Sequence, residues 1–195
     1  MVRLSGEKRR RQLAGKTLDI IAEKGLRKFT VAELAAAASI SEGAIFRHFK
    51  SKEEIVEAAI ESMEEVLFQG FPPKDKDPVD RLGAFFQNRL KLVTENPNLA
   101  GLIFSEQLVH AAGKKGEKKI FEMRKRSREF VFNCLREAHQ KGLLSRKVKF
   151  DHLFFVVYGA MAAMASLLLE REGHPSVKSP TPTQLWKTLA DLIRQ

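Results

Sequence analysis

Between Ser41 and Lys52 the chain reads SEGAIFRHFKSK. On one helical turn and its flanks this places Ser41, Glu42, Ala44, Arg47 and His48 on a single side, followed by Lys50 and Lys52. Hydroxyl, carboxylate, guanidinium and imidazole groups can meet base edges, and the lysines can neutralise phosphates. Gly43, without a side chain, lets the backbone approach another surface closely.

Other candidate chemistry is sparse. His48, His110, His139, His152 and His174 are scattered without metal-ligand spacing. Glu106 and His110 sit one turn apart and could share a metal, although a structural role is several times commoner for such a pair. Cys134 falls on an apolar helical face, as a core residue does. There is no glycine-rich phosphate loop and no assembled Ser-His-Asp or Cys-His set. The chain therefore reads as a non-enzyme with no cofactor and no metal.

Charge agrees with an anionic partner. The 195 residues carry a net +10, and the pI is about 9.8. Residues 1–52 hold twelve Lys/Arg and five Asp/Glu, whereas 53–111 hold five against eleven. A second basic cluster, Lys114 to Arg128, is expected to be a solvated face. "KRRR", Lys8 to Arg11, precedes the Ser41 segment and is expected on phosphates. One cysteine excludes an internal disulfide framework and fits a reducing cytosol, so a cytoplasmic location is expected. The N-terminus lacks the apolar stretch of a signal peptide.

The elements that must position these residues are helical throughout. Leu13, Thr17, Ile20 and Ile21 recur at helical spacing between Ser5 and Lys24, and Gly25 ends the run. "TVAE" is a capping box, Thr30 with Glu33, flanked by Phe29 and Leu34 as a hydrophobic staple. A helix then runs from Val31 to about Ala38, Ser39-Ile40-Ser41 turns, and a second helix runs from Glu42 to about Phe49. Two short helices across a tight turn make a helix-turn-helix. Ser51 with Glu54 opens a further helix toward Gly70. Asp77-Pro78 and Asn96-Pro97 start two more, the second over Pro97–Leu108. "GKKGEKK" reads as a loop or frayed start, after which Ile120, Met123, Ser127, Phe130, Cys134 and Ala138 keep helical spacing to Gly142. Phe150–Glu172 is helical, and Thr181-Pro182-Thr183-Gln184 caps a last helix through residues 183–194. The expected fold is all-α with about nine helices: residues 1–50 an N-terminal three-helix DNA-binding domain, 51–195 a larger helical domain.

"TVAELAAAASISEGAIFRHFKSKEEI" resembles the DNA-binding signature of the TetR/AcrR family of bacterial transcriptional regulators. The matches are Thr30, Val31, Ala35, Ala38, Ser41, Gly43, His48, Phe49 and Lys52, with Ile40 and Ile45 conservative. The resemblance implies phosphate contacts at Thr30, His48 and Lys52, and base reading at Ser41, Glu42, Ala44 and Arg47. Two residues depart from the pattern. Ser39 stands where the family has a glycine, so a left-handed serine or a different turn is expected. Phe46 replaces a tyrosine, and its phosphate-binding hydroxyl is absent.

The same resemblance implies a homodimer whose last two long helices, 150–172 and 183–194, pair with their symmetry mates. Leu153 to Leu169 carries no charge over seventeen residues. That is the lower limit for a membrane span, but its Gly, Ala and Ser content suits a helix buried twice, in its own core and against a partner. A ligand-responsive repressor, released from a palindromic operator by a small molecule, needs a cavity in the second domain. Phe85, Phe86, Phe104, Phe121, Phe132, Tyr158 and Met161 are its lining or else plain core, and Asn88, His110, Asn133 and Tyr158 are the polar side chains at hand. A largely apolar effector is expected, such as a fatty-acid-like chain or an aromatic drug. The alternative is a DNA-binding regulator with no small-molecule ligand, constitutive or protein-controlled.

Overall fold

The computed structural model describes residues 6–96, 102, 108, 113–146, 149–170 and 180–194, the side chains of 169 and 170 excepted. Among these are eight α-helices and one 3-10 turn, with no strand. They are α1 (Gly6–Lys24), the turn Leu26–Lys28, α2 (Val31–Ala38), α3 (Glu42–Ile45), α4 (Lys52–Leu67), α5 (Pro78–Glu95), α6 (Gly113–Gln140), α7 (Phe150–Glu170) and α8 (Pro182–Ile193). The expected Pro97–Leu108 helix, Leu102 and Leu108 apart, and residues 171–179 before the last helix lie outside the described residues.

The chain divides into two compact units, 1–69 with 98–123, and 70–97 with 124–195. The expected boundary after residue 50 thus falls inside the first unit. The reason is packing: α4 lies against α1, burying Ile55, Ala59, Ile60 and Met63 alongside Leu13 and Ile21. Removing that helix would expose several fully buried side chains, each worth roughly 1.5–3 kcal/mol of burial. Phe29, Leu34, Ile45 and Phe49 complete the core of this unit.

In the second unit α5, α7 and α8 pack against one another. Leu82, Phe86 and Leu90 of α5 are fully buried, and Trp186, Leu189 and Ile193 of α8 are nearly so. Ser145 N–H donates to Ile193 O at 2.8 Å, tying the loop after α6 to the end of α8.

Caps decide most helix starts. Thr30 and Thr181 form complete capping boxes with Glu33 and Gln184. Asp77 accepts from the N–H groups of Val79 and Asp80 ahead of Pro78. At Ser51 the box is half made. Ser51 accepts from Glu54 N–H, but the Glu54 carboxylate reaches one residue further back, to Lys50 N–H at 2.6 Å.

Two helices differ from expectation. α3 ends at Ile45 and continues as a turn over residues 46–48, with Ile45 O accepting from both His48 and Phe49 N–H. α6 is helical from Gly113, through the stretch expected to be a loop or frayed start. Gly116 costs about 1 kcal/mol in propensity, whereas Gly113 opens the helix at φ 62°, where glycine is favoured. Lys119 bridges Glu61 (3.2 Å) and Glu64 (3.4 Å) of α4, partly exposed ion pairs that tie this part of α6 to the first unit.

α7 is long and apolar enough to cross a membrane by length and composition alone, with mean hydropathy 1.5 over 150–168. One side packs against α5 and α8, while only 22 % of this stretch is buried in the single chain.

Candidate nucleic-acid interface

The α2–α3 pair is held by local chemistry. Glu33 closes the box at Thr30 and also binds Lys24 at 2.8 Å. The Lys24 ammonium above all, with the Thr30 N–H and hydroxyl adding to it, holds its carboxyl below the usual carboxylate range against the opposing effect of burial. At the turn Ser39 takes the left-handed conformation, φ 54° and ψ 46°. Ser39 N–H bonds back to Ala36 O at 3.1 Å and Ile40 N–H to Ala35 O at 3.0 Å, which aims the chain into α3. Ser41 caps α3 by accepting from Ala44 N–H at 3.2 Å.

This leaves Ser41, Glu42, Gly43, Phe46, Arg47, Lys50 and Lys52 exposed, with Ala44 and His48 half-buried. A Cβ at Gly43 would meet nothing nearer than Ser41 Oγ at 4.0 Å. Internal packing therefore does not require a glycine there, and the bare backbone faces outward. Phe46 is 49 % exposed, so it is not a core residue. Thr30 Oγ1 is engaged in its cap, and Lys52 Nζ stands 5.4 Å from the Phe29 ring centroid.

The arginines of "KRRR" are turned to intramolecular partners. Arg9 donates to Gln12, Arg11 pairs with Glu65 at 3.6 Å, and Arg10 points inward to His48 O and Glu54.

The expected effector residues separate by burial. Phe85 and Phe86 are buried, Asn88 is exposed, and Phe132, Tyr158 and Met161 are half-buried. Phe121 is 58 % exposed, on the solvent side of α6, and so does not line an interior. Phe104 and His110, and with them the Glu106–His110 pair, lie outside the described residues. Phe132 joins a row with Phe150 and Phe154, which stacks on Tyr158.

On nearly the opposite side of α6, Phe130 joins Phe71 and Phe85 at centroid distances of 4.8 and 4.9 Å. Beside that cluster a groove of about 470 Å³ is walled by Phe71, Arg81, Arg126, Phe130, Asn133 and Cys134 among others. None of the expected effector residues except Asn133 lines it.

Arg89 escaped the sequence reading. It sits in the apolar stripe Leu82, Phe85, Phe86, Leu90 and Val93, a placement that could have flagged it. Its guanidinium lies 5.0 Å over Phe85 and donates to Ser127 Oγ at 3.3 Å. Burial, with nearby Arg126 adding like charge and Tyr158 opposing, pushes its pKa down to about 10. No group of three or more His, Cys, Asp or Glu suited to a metal exists among the described residues.

Residues 16–59, from the third turn of α1 to the middle of α4, match the model of bacterial regulatory proteins, tetR family. The nucleoid occlusion factor SlmA of Idiomarina loihiensis is 30 % identical over 145 residues, covering 73 % of this chain and 68 % of that protein. The chain belongs to the TetR family.

The solved ketosteroid transcriptional regulator KstR2 of Mycobacterium tuberculosis superposes with a TM-score of 0.73 at 20 % identity, covering 99 % of this chain and all of that one. FadR of Bacillus subtilis, solved with stearoyl-CoA, gives 0.67 at 17 %, covering 93 % and 95 %. This TetR-family protein is thus a DNA-binding transcriptional regulator with an all-α fold. Its family signature contains every residue of the α2–turn–α3 interface, but not Arg10.

Proposed function

We propose that this TetR-family regulator is a cytoplasmic homodimeric repressor, released from a palindromic operator by a largely apolar small molecule. DNA contact is assigned to Thr30, Ser41, Glu42, Gly43, Ala44, Arg47, His48 and Lys52. Effector binding and dimerisation are assigned to the unit built on α5, α7, α8 and the second half of α6.

The observation that carries the reading is the outer face of α7 and α8. Phe155 (72 %), Val156 (47 %), Leu167 (38 %) and Leu192 (65 %) are exposed in the single chain. Exposed Gly159, Ala163 and Ser166 recur between them at helical spacing. A contiguous apolar face with small residues along its centre is suited to close helix packing against a second copy. The mostly half-buried aromatic rows around α6 offer apolar lining for an effector, and a TetR-like fold solved with stearoyl-CoA supports an acyl chain as one class.

The 30 % identity to a protein named a nucleoid occlusion factor, a role other than operator release by an effector, supports a second reading, a DNA-binding regulator with no small-molecule ligand. Sedimentation of the purified chain, then operator release against panels of fatty acids, acyl thioesters, steroids and polar metabolites, tests both. A dimer released by apolar compounds supports the first reading, and a dimer released by none supports the second. A monomer at micromolar concentration overturns the assigned interface.

A further inference from the structure

We infer that Arg10 is a positioning residue for sequence reading: it clamps the end of the recognition segment from behind and does not bind DNA phosphate. α3 has four helical residues, about one turn, and a single turn fixes many dihedrals for few hydrogen bonds. Arg47 and His48 lie beyond its last helical residue, in the turn 46–48. Something outside the helix must therefore hold them still.

Arg10 of α1 does so in three ways. Nη1 donates to His48 O at 2.6 Å, in the manner of a basic side chain capping the carbonyls at a helix C-terminus. Nη2 pairs with Glu54 Oε1 at 2.9 Å. The guanidinium carbon stands 4.4 Å from the centroid of the buried Phe49 ring. The second Glu54 oxygen accepts from Lys50 N–H at 2.6 Å. The carbonyl before Phe49 and the amide after it are thus both held by one ion pair that joins α1 to α4.

A base-reading side chain must be placed within about 0.5 Å and 10–20° of its productive geometry. The clamp acts on the backbone one residue after Arg47. Moving Arg10 to a phosphate would remove the side-chain donor from the His48 carbonyl and leave Glu54 with Lys50 N–H but without its ion pair.

The test uses the full chain and two duplexes of equal length: the sequence that the wild-type protein enriches from a random library, and a shuffled control. Affinities are measured from about 50 to about 200 mM salt, on protein shown by circular dichroism to be folded at the assay temperature. Arg10→Ala is expected to lower the ratio of enriched to control affinity about tenfold, the effect of losing one charge-assisted hydrogen bond, with an unchanged salt slope. A phosphate ligand would instead flatten the slope by about 0.9 per contact and leave the ratio alone. That result overturns the inference. So does a lower melting temperature with an unchanged ratio, which marks a purely structural role.

If Arg10→Ala does not fold, Glu54→Gln decides. Breaking the clamp lowers the ratio. Freeing Arg10 for phosphate would tighten both duplexes alike and steepen the slope, which again overturns the inference.

Discussion

Gly83 on α5 lies against the indole of Trp186 on α8, and a Cβ added at Gly83 would stand 2.2 Å from Nε1 and 2.5 Å from Cε2. Trp186 is buried and packs 5.4 Å from the Phe86 ring, so it cannot simply swing aside. Gly83→Ala gains about 1 kcal/mol of helix propensity, yet the displaced indole costs about 1–3 kcal/mol in strain and can shift α8. A net loss of stability is expected in urea unfolding. A more stable variant would show that α8 re-docks freely.

Ser39 carries a left-handed backbone that an L-residue adopts at a cost. Ser39→Gly removes that cost, although glycine also gains freedom in the unfolded chain. The expected balance is a gain of about 0.5–1 kcal/mol, read as a higher melting temperature with unchanged DNA preference. A loss would mean that the serine hydroxyl has a role in the turn.

On DNA, Arg47→Ala and Lys52→Ala should separate. Arg47 is exposed at the end of the recognition segment. Its loss is expected to relax sequence preference at one position and to cost about 1–3 kcal/mol, the value of a bidentate base contact. Lys52→Ala should weaken all sequences alike and flatten the salt slope by about 0.9 per protomer. Unchanged operator preference for Arg47→Ala in competitive binding would remove it from base reading.

Ala163 is exposed in the single chain at the centre of the small-residue stripe on α7. Ala163→Glu leaves the monomer's own core untouched but would bury an unpaired carboxylate between two copies, costing several kcal/mol. Light scattering is expected to show a folded monomer. An intact dimer would move the interface to another face.

Glu54 titrates below the ordinary carboxylate range, chiefly because Lys50 N–H donates to it, with the Arg10 guanidinium adding to the effect against opposing burial. A folded pKa below the unfolded one stabilises above the unfolded value and is lost as pH falls through the folded value. The stability gap between wild type and Glu54→Gln should therefore be full above the ordinary glutamate range and shrink as pH falls below it. A gap independent of pH would mean that the Glu54 charge adds nothing.

The helix starts at Thr30, Asp77 and Thr181, the all-α class and the α2–turn–α3 pair were legible in the amino-acid sequence. Each rests on partners two to four residues apart, within one turn of chain. The family signature is legible for the same reason, being a run of adjacent residues. What stayed hidden depends on groups far apart in the chain. Arg10 caps a carbonyl 38 residues away, Lys119 reaches Glu61 across 58 residues to hold the start of α6, and α4 joins the N-terminal unit because its apolar face fits α1. Phe121 and Phe132 look alike as aromatic residues on one helix, eleven positions apart. Eleven residues are about three turns, so both lie on nearly one face of α6; the neighbours met at each level of the helix leave the first 58 % exposed and pack the second beside Phe154. Short-range hydrogen-bond geometry is written residue by residue, whereas the choice of which faces meet is made only when the whole chain has excluded water between them.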